Sequence, residues 1–139
     1  MMMHRHGWLS DRGSVTIFVA VLAVSFLMAA GLAIDGARKL GGLSEARDLA
    51  DNAARTCAQG VDPLALRATG IPTLSGPDAA ERANAYLAST GHSGAVSVDG
   101  TECIVTVTLA VKTRFLPGPF VVAATESAKA LTGVKGATP

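Results

Sequence analysis

From Val15 to Ile34 the chain reads VTIFVAVLAVSFLMAAGLAI, an apolar run with no charged side chain. A helix rises about 1.5 Å per residue, so this run spans roughly 30 Å, the thickness of a bilayer hydrocarbon core. Its two hydroxyl residues, Thr16 and Ser25, can bond back to carbonyls of their own helix. A core helix of a small domain would show a polar face, so the pattern predicts a single membrane span. Beyond it the period stays helical. Leu43, Ala46, Ala50, Ala53 and Cys57 recur at steps of three and four, forming one narrow stripe over Asp35 to Gln59. Arg47–Asp51 and Asp51–Arg55 are opposite-charge pairs on the polar side of that stripe. Val15 to Gln59 is expected to form one helix of about 65 Å, with a bend or local break at Gly41–Gly42.

Val61 to Pro77 contains three prolines and scattered apolar residues and reads as a loop. Pro77-Asp78 opens a second helix to Ser89 or Thr90, with Ala79, Ala83, Tyr86 and Leu87 on its buried face and Gly91 at its end. The period then changes to two. Val96 and Val98 alternate with polar neighbours, and Asp99-Gly100 is a two-residue hairpin signal. In the next strand Cys103, Val105, Val107, Leu109 and Val111 point one way. Leu116-Pro-Gly-Pro119 interrupts the pattern, and Phe120 to Leu131 gives a third, weaker strand. The predicted fold class is α+β. A long N-terminal transmembrane helix extends outside the membrane, followed by a second helix and a three-stranded antiparallel sheet with helices on one face. The predicted division is a basic tail (1–14), the span (15–34), an extracytoplasmic domain (35–131) and a disordered tail (132–139).

Charge refines the topology. Arg5 and Arg12 face Asp11 before the span, with His4 and His6 nearby, whereas from Asp35 onward ten Lys/Arg balance ten Asp/Glu. Positive residues favour the cytoplasmic side, which places the short tail inside; Arg38 and Lys39 just past the span pull against that assignment. Trp8 stands where an interfacial anchor would, or is an ordinary tail residue. A neutral distal domain with few aromatics has no footprint for nucleic acid. A cleaved secretory signal has a shorter apolar core and then a small-x-small site. Here the core is longer and runs on into helix, so the reading is an uncleaved anchor.

The alanine stripe lets a sheet or another helix approach closely but buries little area. The outer helix therefore needs a partner. Cys57 ends that helix and Cys103 begins the inward face of the central strand. On the outer side of a membrane the default for such a pair is one disulfide, closing a loop of about 46 residues; two free buried thiols are the alternative. Gly91-His92-Ser93-Gly94-Ala95 lacks the final glycine of a nucleophile elbow and precedes a strand, so it reads as a turn. Glu45, Asp48 and Asp51 are interleaved with Arg47 and Arg55 and read as a solvated face. No catalytic, cofactor-binding or metal residues are assigned, and no small-molecule substrate is expected. Ala29 and Ala33 have small-xxx-small spacing for helix packing in lipid, although alanine is also simply common in membrane helices. Asp35, at the membrane exit, is expected to pair with Arg38 or Lys39 within the helix, or with a partner's cation.

The sequence Arg12-Gly13-Ser14-Val15, the span ending GLAIDGAR (Gly31 to Arg38) and the helix LSEARDLADNAARTCAQ (Leu43 to Gln59) together resemble the TadE/TadG-like proteins of tight-adherence (Flp) pilus assembly, in their actinobacterial form. The resemblance implies a pseudopilin-like minor component held in the cytoplasmic membrane, without enzymatic activity. Its implied partners are the lipid bilayer and other pilus subunits. In prepilins of this system a peptidase cuts after a glycine, with a Glu at the fifth position beyond. A cut at Gly13–Ser14 would put Phe18 there, so the resemblance implies an uncleaved, TadG-like anchor. An anchored binding module unrelated to pili and a small secreted protein with a long signal are the rival readings.

Overall fold

The structure is a computed structural model that describes residues 11–131, with side chains from Val15 onward. The 1–10 and 132–139 tails lie outside the described residues, as do the side chains of Arg12, Gly13 and Ser14. The element order is α1 (Asp11–Ala58), α2 (Pro63–Thr69), α3 (Gly76–Ser89), β1 (Gly94–Asp99), β2 (Glu102–Val111) and β3 (Phe120–Lys129). The strands form an antiparallel sheet in the order β1-β2-β3. Both long helices pack against the sheet, α1 on β2 and β3 and α3 on β1.

The 48-residue α1 runs unbroken through Gly41–Gly42, which corrects the expected bend or break. Gly42 is buried, and a Cβ there would collide with the Val111 side chain. The glycine is thus a close-approach site between helix and sheet, with the cost of glycine in a helix offset by that packing. Outward from it, Ala46, Ala50, Ala53, Ala54 and Cys57 are fully buried. From Ala50 to Cys57 they form one core cluster with Cys103, Val105 and Val107 of β2 and Ala79, Ala83 and Leu87 of α3. Small side chains on α1 let its backbone lie near the strands, and β-branched valines fill the gap. On the exposed side of α1, Asp51 pairs with Arg55 at 3.0 Å; among the described residues Arg47 does not share it.

The segment read as a loop contains the short helix α2. Asp62 caps it, accepting N–H bonds from Leu64 (2.8 Å) and Ala65 (3.2 Å), with Pro63 in its first turn and Gly70 at its C-cap. That Asp-Pro…Gly pattern is a helix start and stop too closely spaced to register as apolar periodicity. The β1–β2 turn is Gly100-Thr101, one residue later than the Asp99-Gly100 signal, because Asp99 pairs with Glu102. Gly100 has φ 57°, which suits a two-residue turn with glycine first. On β2 the burial alternates from Cys103 to Val107 as the pattern requires. On the opposite face Thr106 and Thr125 are cross-strand partners with hydroxyls 2.8 Å apart.

Toward its start α1 leaves the domain. Its Val15–Ala58 portion contains a window long and apolar enough to cross a membrane, and only 6% of that window is buried in the domain. A core helix of a soluble protein would be mostly covered.

Candidate functional site

The groups brought together across the longest sequence distances lie where the apolar half of α1 meets the domain. Asp35 is 1% exposed. Its carboxylate accepts three backbone N–H bonds from the loop between β2 and β3: Arg114 to Oδ1 at 2.8 Å, Phe115 to Oδ2 at 2.9 Å and Leu116 to Oδ2 at 2.8 Å. The geometry is that of an anion held in a concavity of successive amides. Burial alone would raise the Asp35 pKa. The N–H groups of Arg114, Leu116 and Phe115, together with the Arg38 charge, act the other way and prevail, so it lies below its ordinary value of 3.8.

This arrangement corrects the expected ion pair. Arg38 contributes its field, but among the described residues no ion pair joins it to Asp35. Arg38 instead lines an open cleft of about 580 Å³ with Glu45, His92 and Lys112. Lys39 sits over the Phe120 ring, 5.2 Å from its centroid. Helix cations could not compete for Asp35 because the stripe Gly31, Asp35, Gly42, Ala46 is the buried side of α1, and three amides already fill it.

The loop is organised to serve this contact. The single Thr113 hydroxyl proton is shared between the carbonyls of Leu116 (2.7 Å from Oγ1) and Gly118 (2.6 Å). Phe115 reaches one turn further toward the start of α1 and lies against Gly31, where an added Cβ would stand 2.8 Å from the ring Cγ. Ala29 lines a shallow apolar groove with Met28, Leu32, Phe115 and Leu116, while Ala33 is exposed. Gly13 and Ser14 fall within the helical backbone of α1.

At the opposite end of the helix–sheet interface, Cys57 and Cys103 form a disulfide, Cα atoms 6.1 Å apart. α1 is thus fastened to the domain twice, by Asp35 near the apolar half and by the disulfide at its far end. His92 follows α3, its backbone N–H on the Leu87 carbonyl. Its Nε2 is 4.0 Å from Glu45 Oε1, and its buried Nδ1 has no partner among the described residues. That distance is too long for a hydrogen bond. Among the described residues no group of three or more His, Cys, Asp or Glu is placed to hold a metal.

Residues 13–59 match the model of a family described as putative Flp pilus-assembly TadE/G-like. No curated protein matches, and no solved structure matches. The matched stretch takes in both the apolar half of α1 and its packed outer half, with Asp35 and Cys57 inside it.

Proposed function

We propose that this chain is a single-pass, membrane-anchored, pseudopilin-like minor component of a tight-adherence pilus or a related secretion assembly. Its N-terminus lies on the cytoplasmic side of the cytoplasmic membrane and its α+β domain on the extracytoplasmic side. The observation that carries the reading is the coincidence of the family match with one helix of two kinds. Residues 13–59 hold a lipid-compatible segment continuous with a helix locked into a domain. Such a part works by placing surfaces, not by chemistry. The span offers small residues such as Ala29 and Ala33 to neighbouring helices, and the domain presents its outer sheet face and the β3 edge. A disulfide suits an oxidising compartment, which supports the outward orientation. The absence of Glu at position 18 supports an anchor kept whole at Gly13–Ser14.

The test is site-specific photocrosslinking from Ala33 in a pilus-producing host. The expected products are adducts with pilin-like or assembly-platform subunits. Adducts with lipid alone would contradict the assembly role. A reporter active only outside the cytoplasm, fused after Pro139, is expected to be active; activity of a cytoplasm-only reporter there would reverse the orientation.

A further inference from the structure

The β2–β3 loop poses a physical puzzle if it is an ordinary aqueous loop. It is apolar at its tip, with Phe115 61% exposed, and it lies alongside the very part of α1 that is itself apolar and uncovered. Part of its backbone is met from within the chain. The N–H groups of Arg114, Phe115 and Leu116 go to Asp35, and Pro117 and Pro119 have none to offer. The Leu116 and Gly118 carbonyls share the one Thr113 hydroxyl proton. Water would satisfy those groups without help. In hydrocarbon a backbone polar group needs an internal partner, and at the apolar tip a buried carboxylate supplies one to each of three successive N–H groups. Depth agrees. Gly31, which Phe115 touches, lies three residues before the end of the apolar run, about 5 Å inside the span at 1.5 Å per residue. Met28 and Leu32 extend the same apolar surface, in continuity with the span. Lys112 and Arg114 are exposed at the loop's flanks, where long cationic side chains reach the phosphate layer.

We propose that the β2–β3 loop is a lipid-inserting wedge: Phe115 and Leu116 enter the acyl layer of an anionic bilayer beside α1, and Lys112 and Arg114 meet its phosphates. The proposal rests on α1 spanning that membrane. The wedge gives the domain a second membrane contact, so it cannot swivel about the helix, and Asp35 is what makes the insertion possible.

The full chain, with Trp8→Phe as background, is reconstituted into phosphatidylcholine–phosphatidylglycerol vesicles containing brominated acyl chains. Single tryptophans are placed at Leu22, Phe115 and Ser97, the last on the outer face of β1. Leu22→Trp and Phe115→Trp are expected to lose most of their emission. Phe115→Trp should respond more to bromines near the headgroup and Leu22→Trp to bromines near the chain ends; Ser97→Trp should be quenched only by aqueous acrylamide. Quenching at Leu22→Trp with Phe115→Trp behaving like Ser97→Trp overturns the wedge and leaves the span intact. No bromine quenching at Leu22→Trp overturns the span and the wedge together. Phe115→Trp shielded from both quenchers overturns the wedge in favour of a protein contact. Should Phe115→Trp lose the disulfide, Leu116→Trp is the second probe, read the same way.

Discussion

The two halves of α1 invert each other. Between Val15 and Ile34 the large apolar side chains are outward, Phe26, Leu27 and Met28 each more than 70% exposed, and the one buried position is Gly31. From Gly42 to Cys57 the buried positions are glycine, alanine and cysteine, and the outward ones are charged or polar. One helix therefore carries two opposite burial codes, and no single solvent suits both. Water suits the outer half, whose small residues let the sheet come close. Only an apolar surrounding suits the inner half, where bulky side chains have no protein cover. The change of code falls at Asp35, the residue that ties the β2–β3 loop to the helix.

The largest perturbation of the outer half is loss of its covalent end. Cys57→Ser is expected to destabilise the domain by about 2–4 kcal/mol, chiefly by freeing the unfolded chain across 46 residues of sequence separation. Membrane retention, which depends on the inner half, should persist. Denaturant melts and flotation of the same sample separate the two effects, and co-loss of both would erase the distinction between the halves.

Next in size is Gly42→Val. A side chain there must displace Val111, which overpacks the helix–sheet contact at a cost of about 1–3 kcal/mol. Gly41, with open space around it, is the contrast: Gly41→Ala should stabilise slightly through helix propensity. Equal effects at the two glycines, in thermal melts, would mean that the helix does not present Gly42 to the sheet.

Asp35→Asn sharpens the boundary itself. The folded pKa of Asp35 lies below 3.8, so its stabilisation is fully present above 3.8 and disappears as pH falls below 3.8 through the lower folded value. The Tm gap between wild type and Asp35→Asn is therefore expected to be constant from neutral pH down to the ordinary carboxylate range and to close below it. Amide exchange at Arg114, Phe115 and Leu116 should rise in the variant while β2 stays protected. A gap that widens in acid would contradict the three-amide assignment. The smallest effect is at α2, where Asp62→Ala removes a cap, costing about 1 kcal/mol at most locations of this kind, and should leave α1 and the sheet unchanged.

Much of this could be read along the chain because it is written in local periods. The apolar run, the 3–4 spacing ending at Cys57 and the alternation Cys103-Val105-Val107 each specify an element and its inward face. The half-cystines lie at matching ends of two such faces. What could not be read depends on encounters between distant segments. Asp35 looks like a membrane-exit acid beside Arg38 and Lys39, and nothing near it announces amides some 80 residues away. Gly42 reads as a helix weak point, and Gly31 has no visible contact, because the partner of each, Val111 and Phe115, lies in another element. The Leu116-Pro-Gly-Pro119 break marks a loop but not where it reaches. α2 reads as loop because its seven residues are too few to show a period, leaving only the Asp62-Pro63 start and Gly70 stop to mark it.

The central claim, that one uncut helix holds a disulfide-fastened domain to a membrane, is tested most directly by intact mass of the chain from alkaline-washed membranes, alkylated without reductant. The account expects the chain to stay with the washed membranes, with the Gly13–Ser14 bond whole and no alkyl group on Cys57 or Cys103. Release into the wash, a chain starting at Ser14, or two alkylated cysteines would contradict it.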